Sequence, residues 1–461
     1  MNLHQYSIVL FVCLLVLPSS AQTSYFDNLN SLFVATSGSS SWQRHDHWGD
    51  ITVSVCAWYG VTCDVATNQL VVKVDLSNNN LTLAVGQGTF STILFSSIPV
   101  TVTLVSLNIS GNRLGGSVPA GFFGTFTKLE VLDLSRNLLR GEIPTSLATT
   151  TGQHMIRLNL SHNLFSGVLP PFSATVMLSS LTQLDVSANR LTGAIPVALL
   201  SATPLLSKLC LSHNFLVGSL YSLFSTPGVV VLQELSLDHN YLLSDIPSAI
   251  CSYLRLTSIN FEENRLFGGI PSCMVNLSQL VTVNLAHNTL RGAVPCNQWF
   301  GSSGVAALLP NIQTLLFTDN DLSGVFCPIP GSHGLVNLHL DNNDFSGLVP
   351  PLLGLQLADV RLGGSNQWAC PLPSISSSSV MGWSDVPPST SCFSVGNPSV
   401  DLLARPLNQA TIVTFSALMV LVLVAPVVVA AMELYGIHVP PVSRLLVPLW
   451  LRRIIQFEDS G

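Results

Sequence analysis

The chain has 461 residues, of which 9% are charged and 48% hydrophobic, and its formal net charge is -7. That length leaves room for several domains, and so few charges point to apolar segments beside any folded part. The mild acidity and the lack of a basic run argue against nucleic acid as a partner.

At the amino terminus, Ile8 to Leu17 is a short apolar run followed by Pro18 and Ser19-Ser20-Ala21. This predicts a signal peptide over 1–21, cleaved after Ala21, although Met1 to Ser7 carries no Lys or Arg. In the next stretch, Phe26, Leu29, Leu32 and Phe33 share one face of a predicted helix. A loop follows with Trp42, Trp48 and the run CAWYGVTC from Cys56 to Cys63. His45-Asp46-His47 in that loop has metal-binding side chains, but three adjacent residues rarely converge on one ion, and a solvated loop is expected.

From Val71 onward one template recurs eleven times, as in LEVLDLSRNLLRGEIP over Leu129 to Pro144. Its asparagine falls at Asn79, Asn112, Asn137, Asn163, Asn189, Asn214, Asn240, Asn264, Asn288, Asn320 and Asn343, spaced 23 to 33 residues apart. Leu132 and Leu134 alternate with polar residues and point to one side of a short strand. A lone strand cannot bury them, so neighbouring copies must stack in parallel and share one core. Asn137 sits where the chain leaves the strand, and its amide can satisfy backbone groups left unpaired by the bend. Gly141 and Pro144 suit a tight turn and an extended return. The fold class is therefore an α/β solenoid, a right-handed superhelix with a concave parallel β-sheet. A final copy from Leu357, LADVRLGGSNQW, puts Ser365 where the asparagine is expected, as a degenerate last repeat. Two inter-repeat gaps, Leu83 to Val102 and Cys296 to Pro310 with Trp299, exceed the usual length and are expected to loop out.

The ending Leu-x-Gly-x-Ile-Pro appears as LRGEIP at Leu139, LTGAIP at Leu191, LFGGIP at Leu266 and LRGAVP at Leu290. It resembles the plant-type leucine-rich repeat of receptor-like kinases and kinase-less receptor-like proteins, and also the leucine-rich repeat surface antigens of kinetoplastid protists. The resemblance implies a binding ectodomain at a cell surface. It extends to 22–70, where Cys56, Trp58, Gly60, Val61 and Cys63 match the plant-type amino-terminal cap, with Ala57 inserted. On that resemblance Cys56 pairs with Cys63.

Repeats are assigned to 71–366, a carboxy-terminal cap and stalk to 367–408, with Cys370 and Cys392 closing the cap. Ala410 to Met432 is 23 residues without a charge, enough at ~1.5 Å per residue to cross a ~30 Å hydrocarbon core. A transmembrane helix is expected over 409–432. Arg444, Arg452 and Arg453 lie beyond it, against Arg405 before it, which puts the tail 433–461 in the cytoplasm. The expected arrangement is single-pass type I in the plasma membrane, and a tail of 29 residues does not hold a kinase domain.

Nine cysteines remain after signal removal, an odd number for an oxidising compartment. Cys251 with Cys273, and Cys296 with Cys327, can meet between stacked repeats, other connectivities being open; Cys210 is the candidate unpaired thiol. Sequons stand at Asn80, Asn108, Asn159 and Asn276. Asn108 and Asn159 should project from the concave sheet, and glycans there would leave the later repeats open. On those repeats Glu234, Asp238, Glu262 and Glu263 are expected to form an acidic patch for a basic peptide or protein. His162, His213, His239 and His287 recur just before the repeat asparagine.

Ser161-His162 and Ser212-His213 arise from the repeat register, and no HExxH, GxSxG or phosphate-cradling glycine loop is present. No catalytic residue, metal or cofactor is expected. The chain reads as a membrane-tethered recognition protein for an extracellular peptide, protein or glycan, signalling through a co-receptor with a cytoplasmic domain. The alternative is a surface-coat or adhesion antigen.

Overall fold

The computed structural model describes residues 20–83, 102–149, 154–173, 178–224, 231–300, 309–329, 334–349 and 357–369, all within the first of two units, 1–394. Among them no helix is long and apolar enough to cross a membrane. The expected spanning segment 409–432 lies outside them, as do residues 1–19, the Cys370 and Cys392 cap with its stalk, the tail, and most of both long gaps.

The repeats build one thirteen-stranded inner sheet whose strands follow chain order from Val61–Cys63 to Asp359–Arg361. Only the first pair, Val61–Cys63 with Val71–Asp75, is antiparallel; the later strands pair in parallel. Each repeat strand is short, and its middle residue (Leu132, Leu158, Leu184, Leu209) is buried while its neighbours face outward. A single apolar core runs from Tyr25 to Trp368. Burying one leucine is worth about 1.5–3 kcal/mol, and here the burial depends on the next repeat being in place.

The asparagines hold this stack. Asn189 Nδ2 donates to the carbonyls of Leu160, Val186 and Ser187, and its Oδ1 accepts the Phe165 amide. Asn163 repeats the pattern one coil earlier, on Leu134, Leu160, Ser161 and Leu139. The last copy is more regular than its sequence suggests: Asn366, not Ser365, fills the position, donating to Leu340, Leu362 and Gly363 and accepting the Phe345 amide. One extra residue after Leu362 shifts the register, and the turn absorbs it.

A second set of short strands follows each turn, in one sheet of six and another of five. Where the repeat ends Leu-x-Gly, the glycine has positive φ, +83° at Gly141 and +80° at Gly292. The two sheets part at Tyr241–Leu242, where Ser244 stands in place of that glycine and lacks positive φ. Only glycine adopts this conformation without steric cost, so the strand stops there. Two backbone hydrogen bonds still cross, the Arg265 amide donating to the Leu242 carbonyl and the Phe267 amide to the Ser244 carbonyl. The Cys251–Cys273 disulfide joins the same two repeats, and Cys296–Cys327 ties the next pair.

The cap begins with a helix, Ser20–Ala35, which crosses the expected cleavage point. Tyr25, Asn28, Leu29, Leu32, Phe33 and Ala35 are its buried residues, whereas Phe26 is only partly covered, packing edge-on against Trp58. Trp42 packs edge-on against Trp48, which meets Trp58 at a tilt. The inserted Ala57 is taken up by a 3-10 turn, Val55–Ala57, and the Cys56–Cys63 disulfide forms. Asn79 joins cap to repeats by exchanging hydrogen bonds with the Arg44 backbone. Trp299 and Phe300 do not loop out: they end the short helix Cys296–Phe300 and are buried in the core.

Replacing Asn189 by Ala leaves one amide and three buried carbonyls without this partner. At about 1–3 kcal/mol for each buried group left bare, a loss of several kcal/mol is expected, read as a lower urea midpoint. In the cap, Asp64 accepts hydrogen bonds from Thr67 and from the Leu70 amide, which hold its pKa at about 2. The hold on the turn is fully present above the ordinary carboxylate pKa and is lost as pH falls below it and through about 2. A carboxyl NMR titration should give that midpoint, with the Thr67 and Leu70 amides following it.

Candidate functional site

The inner sheet presents its flanking strand residues outward, and the turn after each strand adds a ledge. The residue before each asparagine is left-handed: φ is 53° at His162, His213 and His239, 47° at Glu263 and 55° at His287. This conformation turns those side chains outward at the rim. The cost of αL for a residue with a Cβ is met in every repeat because the asparagine network fixes the turn.

The four acids do not make one continuous acidic patch. Glu234 is exposed but lies 2.6 Å from Lys208 Nζ, which offsets its charge. Asp238 is buried, with its carboxylate accepting from Ser212 Oγ at 2.5 Å. Glu262 is half-buried and accepts from Asn284 Nδ2 at 2.8 Å. Glu263 is exposed on its turn, its Oε2 3.4 Å from His239 Nε2.

Asp238 is drawn in for a reason legible in the repeat. Earlier copies hold Asx-x-Ser, in which the serine hydroxyl bonds the Asx two residues back, as Ser161 bonds Asn159 and Ser187 bonds Asp185. Cys210 takes the Asx position before Ser212, so that hydroxyl reaches forward to Asp238 in the next repeat. The same substitution recurs at Leu316, and Thr318 reaches forward to Asp341. Neither Ser161 nor Ser212 therefore donates to the histidine beside it, so no activated serine is formed.

Around Asp238 the rim gathers functional groups that its sequence position alone did not reveal. The imidazoles of His213 and His239 lie side by side, centroids 4.0 Å apart. Phe215 and Tyr241 stack 6.1 Å apart on the adjoining strands, and Arg265 lies 4.9 Å over the Tyr241 ring. His213, Phe215, His239 and Tyr241, together with Glu263, border an open groove of about 380 Å³. Phe215, Val217, Tyr241, Leu243 and Phe267 are all exposed, an apolar strip of the kind that binding surfaces use.

The repeats match the model described as Leucine Rich Repeat over residues 103–124, 128–149 and 231–253. Over 104 residues the chain is 31% identical to LRR receptor-like serine/threonine-protein kinase GSO2, and over 106 residues 33% identical to Phytosulfokine receptor 1, both of Arabidopsis thaliana. The chain carries leucine-rich repeats and is similar in sequence to plant leucine-rich repeat receptor kinases. The matched stretches cover 22% and 23% of this leucine-rich repeat chain but only 7% and 10% of those relatives. Among solved structures, the plant peptide hormone receptor RGFR1 in complex with RGF2 superposes with a TM-score of 0.50 at 26% identity, covering 59% of this chain and 45% of that one.

The other cysteines and the sequons complete the surface. Cys210 is the free cysteine among the described residues. Burial, and then the Asp185 carboxylate, push its thiol above the ordinary value. Asn80 Nδ2 donates to the Ser41 carbonyl and Asn159 Nδ2 to Asp133, while Asn108 Oδ1 accepts from Ser110. Asn276, at the end of a 3-10 turn opposite the inner sheet, is exposed.

Two outcomes are expected. Alkylation of Cys210 by iodoacetamide should be slower than that of an exposed thiol at the same pH and should rise later as pH increases, because the thiolate is the nucleophile; peptide mass spectrometry reads this. Glycan occupancy in a eukaryotic host should be higher at Asn276 than at Asn80, whose amide nitrogen is engaged.

Proposed function

We propose that the repeats are the extracellular ligand-binding module of a receptor-like protein, and that the ligand is an extended peptide lying along the inner sheet and its rim. The observation that carries this reading is the continuous inner sheet, open along its outward face, with the aromatic and charged rim around His213, Tyr241 and Glu263 beside it. The likeness to a peptide hormone receptor complex supports it. An apolar peptide residue would rest on Phe215 and Tyr241, and a basic one would meet Glu263, whose charge has no Lys or Arg within ion-pair distance among the described residues.

In this reading segment 1–21 directs the chain to the secretory route and 409–432 anchors it in the plasma membrane. A signal would pass to a co-receptor carrying a cytoplasmic catalytic domain. Glycans on Asn80, Asn108, Asn159 or Asn276 would lie outside the His213 to Glu263 rim.

The test is to display the full chain on cells and pan a random peptide library against it. Enriched peptides should lose at least about tenfold in affinity, ~1.4 kcal/mol, for the double variant Phe215→Ala/Tyr241→Ala. Glu263→Lys should weaken those with a basic residue most. If no peptide is enriched, or if enriched peptides bind both variants as they bind the parent, the surface-coat alternative takes its place.

A further inference from the structure

We propose that His213, Asp238 and His239 form a binding site for one divalent transition-metal ion of the zinc class, clipping two successive repeats together at the rim. This assignment stands apart from the receptor reading, since it rests on donor geometry alone.

One donor atom from each of the three residues lies within 4.8 Å of the other two. Asp238 Oδ2 is 3.7 Å from His213 Nε2 and 3.3 Å from His239 Nδ1. A tetrahedral ion with bonds of about 2.0–2.2 Å needs donors about 3.4 Å apart, so these two edges already have the required length. The third edge, between the histidines, closes by a modest rotation of the exposed His213 ring toward the half-buried His239 ring, their centroids being 4.0 Å apart.

Surrounding groups hold two of the three donors, Asp238 and His239, in coordinating orientation. Ser212 occupies Asp238 Oδ1 and leaves Oδ2 toward the histidines. Glu263 Oε2 lies 3.4 Å from His239 Nε2, which favours the proton there and leaves the Nδ1 lone pair toward Asp238. A carboxylate behind a ligating imidazole is the arrangement that fixes tautomer and raises ligand basicity. Two imidazoles and one carboxylate suit zinc, copper or nickel, whereas calcium and magnesium favour all-oxygen sites. Three protein ligands beside an open groove leave the remaining position to water or to a group on a bound molecule.

The repeat register by itself does not produce this triad. His162 occupies the same turn position with no carboxylate at ion-pair distance among the described residues, and His287 faces Asp319 alone, at 2.9 Å. The third donor exists because Asp238 stands where every earlier copy has serine, and because Ser212 holds it inward.

The experiment titrates the full chain, stripped with a chelator, with zinc chloride by calorimetry and by competition with a chromophoric chelator. One ion should bind per chain with micromolar or tighter affinity and raise the melting temperature. Glu263→Gln should weaken binding about tenfold, the double variant His213→Ala/His239→Ala should abolish it and the thermal shift, and His162→Ala should change neither. Circular dichroism checks that each variant is folded; if Asp238→Asn fails that check, the exposed histidine pair carries the test. No saturable zinc binding, unchanged affinity in the double variant, or calcium competing on equal terms with zinc would overturn the proposal.

Discussion

The structure depends on one repeated bargain at the turn: a buried asparagine amide satisfies backbone groups of its own coil and of the coil before it. Without that bridge the inner strands would leave carbonyls and amides bare in an apolar core, at a cost each repeat could not bear alone. Because each link reaches only to its neighbour, stability is built by nearest-neighbour terms along the axis. The same network fixes the left-handed residue just before each asparagine, so the rim inherits its geometry from the core. Side chains at that residue are thereby free to vary, and the chain uses the freedom to put histidine, arginine, alanine, glutamate and aspartate there.

The leucines and asparagines were readable because their spacing follows from strand period and coil length, which sequence reports directly. So was the cap, although Tyr25 is buried at the start of its helix where Phe26 was expected, and Phe26 is only partly covered. Where reading fell short, the cause was a local exchange of partners. Ser365 was taken for the lost asparagine because a one-residue insertion moves Asn366 out of count while the turn still delivers its amide. Trp299 was expected on a loop because the gap is long, yet a buried indole contributes more than a solvated one, and its short helix folds inward.

The site was legible as residue types and not as an arrangement. Sequence placed Glu234, Asp238, Glu262 and Glu263 on neighbouring coils, but charge is decided by partners across the sheet. Lys208 offsets Glu234, Asn284 engages Glu262, and Ser212 draws Asp238 into the protein. The signal that could have revealed the last of these is the missing Asx at Cys210, visible once the repeats are aligned on their serines.

The interruption at Ser244 has a mechanical side. A tape of stacked coils pulled or flexed from its ends yields where adjacent coils share the fewest lateral bonds, and the second layer is thinnest between Tyr241 and Phe267. Cys251–Cys273 spans that joint like a rivet, so a covalent tie lies where the second layer is interrupted, beside an inner sheet that continues unbroken across it.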